Sequence, residues 1–336
     1  MTNVRREKRL FLTGLPDILT MNQLAVRVRN MFLYCATAVV LLAAIGLTWL
    51  RWDSHLPRDQ WLSARLGTIE QVVQDDSVTD GQGSSRVTLV SDTGLSVSLR
   101  IVRHLEAESL PVLLVLGGHE TGRDAVDLFG DVGRRAVVAM DYPYDGPEKV
   151  RGLATTLRTI PPARKALLDT TPAVSLLVDW LAGQPWVDTG QIVIVGVSLG
   201  VPFAAAAAAR DERITGALLV HGAADNLVWL ETQVARRIDS EFLHRPLSTI
   251  LYWLAYGPLW DTSAHVAQIS PRPVLIIGAR NDERAPPGQT ELLYAAARKP
   301  KSIRWSGGRH VQPGRSDVVQ ELLRILNEEL PLQGGR

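Results

Sequence analysis

Residues 196–200 read Gly-Val-Ser-Leu-Gly, between the apolar run Ile192 to Val195 and an alanine-rich segment that opens at Pro202. A serine hydroxyl is a weak nucleophile at neutral pH and needs a general base to take its proton. It also needs a backbone that lifts it clear of its surroundings, and a tight strand-to-helix turn does this. Such a turn has no room for side chains two positions before and after the serine, a need that Gly196 and Gly200 meet. It also sets the serine oxygen at a helix N-terminus, where the dipole favours developing negative charge. The pattern alone is weak, and the rival reading is an ordinary glycine-rich turn. The buried strand before it and the proline-initiated helix after it favour the nucleophile. The sequence contains no HExxH, CxxC or GxxxxGK[ST] pattern, so it implies no metal and no cofactor.

The flanking elements follow from hydropathy. Ser85 to Val102 alternates apolar and polar residues about Asp92-Thr93-Gly94, which predicts a β-hairpin. Continuous apolar runs follow at 111–116, 136–140, 192–195, 217–220 and 273–277, with a weaker one at 302–305. Strands apolar on both faces belong to a parallel sheet covered by helices. Helices are predicted at 171–182, 202–210, 289–298 and 316–330, and the alanines at 204–209 predict close packing against the sheet. The fold class is therefore α/β, a doubly wound, mostly parallel sheet. Residues 226–266 interrupt the alternation with Trp229, Tyr252, Trp253, Tyr256 and Trp260 at helical spacing. They read as a helical insertion, either a lid or aromatics packed onto the body. Residues 51–84 are mixed and polar and read as a linker or a short lead-in helix before a domain at 85–332.

With the Gly-x-Ser-x-Gly turn in that setting, the segment from Ser85 to Leu330 resembles the α/β-hydrolase superfamily, whose triads run serine, acid, histidine along the chain. The resemblance implies Ser198 as nucleophile. It implies Asp282, in Gly278-Ala-Arg-Asn-Asp282-Glu-Arg-Ala-Pro286, as the acid, and His310, after Gly307-Gly308, as the base. Imidazole suits a base because its pKa lies near neutrality, and the carboxylate fixes its tautomer. His221 ends a strand and competes for the base, but it comes too early for this order. Asp225 and Glu283 compete for the acid. His55, His104, His244 and His265 have no motif around them.

An oxyanion hole needs two backbone N–H donors. Leu199, following the serine, supplies one by position. By match to the superfamily's loop after the first buried strand, Gly118 supplies the other, although this chain has Leu116-Gly117 where His-Gly is common. His119 and Tyr142 are possible pocket residues, with a structural loop and a rigid turn as the alternatives. The compact domain, the Gly-Gly-His loop and the insertion look most like the dienelactone-hydrolase or prolyl-oligopeptidase-like branch. A dienelactone hydrolase proper carries cysteine where this chain has Ser198.

The chain has 336 residues, 46% hydrophobic and 21% charged, with a net charge of +1. It is too apolar to be disordered, and it has no global basic footprint for nucleic acid. One cysteine, Cys35, excludes an intramolecular disulfide framework. Residues 1–30 hold six basic and two acidic residues, leaving 30 basic and 33 acidic in the remainder. Met31 to Leu50 then runs 20 residues without charge or proline, about 30 Å as a helix, the thickness of a hydrocarbon core. A core helix would show a polar face. A cleaved signal peptide would have a shorter n-region and apolar run, and a small-residue cleavage site. The segment therefore reads as an uncleaved single-pass anchor, with Tyr34, Trp49 and Trp52 near its edges. The positive-inside rule puts residues 1–30 in the cytoplasm and the catalytic domain beyond the membrane, in the periplasm or outside the cell.

Together these readings give a membrane-anchored serine hydrolase, a carboxylesterase acting through an acyl-enzyme on a small-molecule ester. A peptidase, thioesterase or acyltransferase of the same fold is the first alternative, because fold does not choose among them. A non-catalytic hydrolase-like binding module is the second.

Overall fold

The computed structural model describes residues 18–79, 82–105, 109–118, 121–147 and 149–329. It divides into two units, Met1–Trp52 and Asp53–Arg336. In the first, helix α1 (Ile18–Ser54) extends past both ends of the predicted apolar helix. Its stretch Val26–Ser54 is long and apolar enough to cross a membrane. Many of its large apolar side chains, Phe32, Tyr34 and Leu42 among them, are exposed, whereas Leu50 is buried.

The second unit is built on one nine-stranded sheet in the order β1-β2-β3-β5-β4-β6-β7-β8-β9. The strands are β1 (Ile69–Thr79), β2 (Gln82–Ser91), β3 (Ser96–His104), β4 (Leu110–Leu116), β5 (Ala136–Met140), β6 (Val187–Val197), β7 (Gly216–Val220), β8 (Val274–Ala279) and β9 (Lys301–Ser306). The first three are antiparallel, β3 meets β5 antiparallel, and every later pair is parallel. The hairpin predicted at Asp92-Thr93-Gly94 joins β2 to β3, with Gly94 at φ +71°. Such a φ favours glycine.

The parallel strands are buried on both faces because alternate residues enter two different cores. Val112, Leu114, Ile194, Leu219 and Ile276 face one, and Leu113, Val115, Val195, Leu218 and Ile277 face the other. The first core is sealed by helices α3 (Gly152–Ala182), α4 (Gly200–Arg210) and α8 (Gln289–Ala296). Ala204 to Ala208 of α4 have no exposed surface, as close packing against the sheet requires. The second core is covered by a 3-10 helix (Gly122–Phe129) and by α9 (Ser316–Glu329). The insertion is helical as predicted: α5 (Asn226–Ala235), α6 (Glu241–Leu254) and α7 (Thr262–Val266).

Two expectations are corrected. Residues 51–84 are not a linker. They complete α1, form helix α2 (Asp59–Leu66) and supply the edge strand β1, so the sheet begins well before residue 85. Strand β1 carries Asp75 and Asp76 and leaves Val72, Val73 and Val78 exposed. Its order comes from backbone pairing with β2, which apolar periodicity does not report, and its charges blunt an open edge. Helix α3 begins 19 residues before the predicted Thr171, because Pro161, Pro162 and Pro172 interrupt its sequence pattern while lying inside it.

Helix α2 is fastened by charge as well as by the buried Leu62. Arg65 donates to Asp169 of α3 at 2.8 and 3.0 Å and to the carbonyls of Thr93 and Gly94 at the hairpin turn. Lys165 donates to the same carboxylate at 2.7 Å. The Asp169 side chain is 1% exposed. Removing one partner of a buried ion pair typically costs about 3–5 kcal/mol. Asp169→Ala should lose stability on that scale in urea melts, and Arg65→Lys, which keeps the charge but not the fork, should lose less.

Candidate active site

Strand β6 ends at Val197, and the chain turns at once into α4. Ser198, at the turn, has φ 54°, a left-handed conformation rare for a side chain of this kind. The two flanking glycines are sterically required. A Cβ on Gly196 would stand 2.6 Å from the Ala204 Cβ, and one on Gly200 would stand 2.0 Å from the Leu116 carbonyl oxygen. The strained turn is held by Ser198 N–H donating to the Val220 carbonyl at 2.9 Å and Val201 N–H donating to the Ser198 carbonyl at 3.1 Å.

Asp282 follows β8 and His310 follows β9, so parallel pairing of neighbouring strands brings both loops to the Ser198 edge. His310 Nε2 lies 2.8 Å from Ser198 Oγ, and its Nδ1 lies 2.9 and 3.0 Å from the Asp282 carboxylate oxygens. The imidazole is fully buried. Burial pushes the Asp282 carboxyl up, but the His310 imidazole and the N–H groups of Ala285 and Arg284 outweigh it and hold it below the usual range. The residues expected from 84 and 28 positions apart in sequence thus form one hydrogen-bonded chain.

The competitors have other work. Asp225 caps α5, accepting from the N–H groups of Leu227 and Val228. Glu283 accepts the backbone N–H of His310 at 3.0 Å and pairs with Arg315 at 2.6 Å. Burial raises the Glu283 carboxyl, yet these two partners bring it down to about 2. Arg315 also donates to the His310 carbonyl at 2.6 Å. Glu283 and Arg315 therefore position the histidine loop. Glu283 was legible only as a neighbouring acid, and no spacing marks Arg315.

His221 lies beside His310, ring centroids 5.6 Å apart, at φ 52°. Its Nδ1 accepts the Val311 N–H at 2.9 Å, which leaves Nε2–H to donate to Ser306 Oγ at 3.0 Å. Together with Asp282 and His310 it offers a cluster of metal-type donor atoms within 4.8 Å. Hydrogen bonds occupy both nitrogens of each ring, so the cluster acts as a packed network rather than an open ligand set.

Gly118 and Leu199 both line the cavity that opens at Ser198. His119 lies outside the described residues. Tyr142 is corrected: it is not in the cavity wall, and its hydroxyl donates to the Gly117 carbonyl at 2.8 Å while its ring packs edge-on against Phe203. Burial raises its phenol well above the ordinary range, so it stays a donor. It supports the Gly117-Gly118 loop from behind. The cavity itself measures about 630 Å³ and is walled mostly by apolar side chains, including Trp229 of the insertion. Of the insertion's aromatics, Tyr256 and Trp260 are buried against the body.

Desolvation and the neighbouring His310 push the His221 imidazole below its usual range. The unfolded chain therefore binds this proton at a higher pH than the folded chain does. The resulting stability is fully present above the unfolded pKa of ~6.5 and is lost as pH falls toward the depressed folded value. In urea melts between pH 7 and 5, wild type should lose stability more steeply than His221→Gln; parallel pH profiles would refute this origin.

The family model for the prolyl oligopeptidase family matches residues 172–305. An acetyl xylan esterase from Paenibacillus sp. R4 superposes with a TM-score of 0.59 at 16% identity, covering 79% of this chain and 92% of its own. Acetyl xylan esterase 1 from Thermoanaerobacterium sp. gives 0.53 at 14% identity, covering 80% and 93%. A cold-adapted esterase from an Arctic intertidal metagenomic library gives 0.53 at 17% identity, covering 76% and 97%. No curated protein matches the chain significantly. The second unit has the α/β-hydrolase fold.

Proposed function

We propose that the chain is a serine hydrolase that cleaves carboxylic esters through an acyl-enzyme on Ser198. The observation that carries this reading is the chain of hydrogen bonds from Ser198 Oγ through His310 to Asp282 on a strained strand-to-helix turn. In the reaction Ser198 Oγ attacks the ester carbonyl carbon as its proton passes to His310 Nε2. The tetrahedral oxyanion is held by the N–H groups of Leu199 and Gly118. The ester C–O bond breaks, and His310 returns the proton to the departing alkoxide. Water then attacks the acyl-enzyme with His310 again as base, releasing the carboxylic acid and restoring Ser198. Asp282 holds the imidazole tautomer and stabilises its charged form.

Esters are favoured over peptides because all three structural relatives above are esterases by name. The family match at 172–305 supports a peptidase as the second reading. The uncharged run Met31 to Leu50, inside the apolar stretch Val26–Ser54, serves in this proposal as a single-pass anchor, with residues 1–30 cytoplasmic and the hydrolase unit beyond the membrane.

A fluorophosphonate probe should label wild type at Ser198 and leave Ser198→Ala unlabelled. Loss of Ser198 or His310 should lower kcat on p-nitrophenyl esters by at least about 10³-fold. Peptide hydrolysis without ester hydrolysis would move the assignment to the second reading. In intact cells, protease added outside, or after permeabilising an outer membrane, should digest the hydrolase unit, and carbonate washing should leave the chain in membranes.

A further inference from the structure

The cavity at Ser198 is much larger than transfer of a two-carbon acyl group needs. At about 630 Å³, it falls in the range that encloses drug-sized ligands. Its floor is the sheet face that carries Val115, Val195 and Leu218. Val195 stands three residues before Ser198 in β6, so the floor reaches about 10 Å below the nucleophile at ~3.3 Å per residue. One wall is the stripe Val319, Leu322, Leu323 and Leu326 of α9, at the i, i+3, i+4, i+7 spacing of a single helix face. The insertion supplies the opposite wall.

The polar lining is concentrated near the triad loops. Gln233 donates to the Arg284 carbonyl at 2.8 Å, Arg284 stands two residues beyond Asp282, and Gln312 two beyond His310. Arg237, the remaining charged lining residue, is exposed. Thr121 belongs to the loop that carries Gly118, to whose carbonyl its hydroxyl donates at 3.0 Å, and the remaining lining side chains away from Ser198 are apolar.

The cavity also meets Ser198 from a definite direction. Gly117, Gly118 and Leu199 line it, whereas the His310 ring, among the described residues, does not. A leaving alcohol must sit at the imidazole that protonates it. The space on the backbone-donor side is left for the acyl group.

We infer that this cavity binds an extended acyl chain, and that the substrates are esters of medium-length, unbranched acids rather than acetates. The inference rests on the serine-esterase reading above. At about 1.25 Å per methylene, from a C–C bond of ~1.5 Å, 10 Å of depth holds a chain of roughly eight carbons.

The test is kcat/KM of the full chain for p-nitrophenyl acetate, butyrate, octanoate and dodecanoate. Each buried methylene is worth about a fourfold gain, so the constant should rise on the order of 10²-fold from butyrate to octanoate. Leu322→Trp, which fills the cavity from α9, should lower the octanoate-to-acetate ratio at least tenfold. Values that fall steadily from acetate to octanoate in wild type would overturn the inference and leave the esterase reading standing. Absence of both ester hydrolysis and fluorophosphonate labelling would instead remove the esterase reading, and this inference with it. A competition measurement on wild type alone tests the same point. Octanoate should protect Ser198 from fluorophosphonate labelling where equimolar acetate does not, and equal protection would overturn the inference.

Discussion

The close approach of α4 to the sheet is the constraint on which the site depends. Helix α4 starts so near β4 that Gly200 leaves no space for a side chain beside the Leu116 backbone, and so near β6 that Gly196 and Ala204 touch. Only a chain that turns within two residues can make that approach, and the residue at the corner must take a positive φ. Ser198 occupies that corner. A strained non-glycine residue costs on the order of 1–3 kcal/mol and persists only where its surroundings over-determine it. Here the alanine face of α4 and the hydrogen bonds to Val220 and from Val201 do so. His221, at the end of the next strand, is in the same left-handed region, with its N–H bound to the Ile277 carbonyl. Two adjacent strand ends are thus bent in the same sense, and both carry groups of the buried network.

That network solves an electrostatic problem. An imidazole without solvent needs partners for both nitrogens. His310 finds Ser198 and Asp282, and His221 finds Val311 N–H and Ser306. The second histidine also fixes the loop that carries the first, since Val311 follows His310 directly. Glu283 and Arg315 grip the same loop from the other side through His310 N–H and carbonyl. The histidine loop is short and glycine-rich, so its backbone has little stiffness of its own. Its geometry is imposed by side chains from three separate segments.

What the sequence made legible was whatever rests on periodicity and local backbone need. The both-face burial of the parallel strands, the hairpin at Gly94, the alanine helix and the serine turn each write a pattern into neighbouring residues. Strand β1 writes none, because its order is a backbone ladder with exposed side chains. Helix α3 conceals its first half behind prolines that tertiary packing tolerates. At the site, superfamily order led to Asp282 and His310, but the partners that position them were hidden. Arg315 and Ser306 meet the histidines only through the fold, and Tyr142, at a strand end like a pocket residue, turns its hydroxyl away to Gly117.

The two faces of the sheet divide the labour between rigidity and space. On the face covered by α3, α4 and α8, the alanines of α4 allow dense packing, and density is what holds the strained Ser198 turn in place. On the other face, the described residues between β4 and β5 form only an eight-residue 3-10 helix. A 3-10 helix that short cannot cover the strand ends beneath Ser198. Helix α9 and the insertion stand around the gap without filling it, and the cavity is the result. The uncovered space lies on the same strands, and within a few residues, of the turn that the opposite face locks. A sheet packed tightly on both faces would hold the serine equally well but leave no cavity beside it. One packed loosely on both would offer room without a fixed serine. The asymmetry between the two covers supplies both.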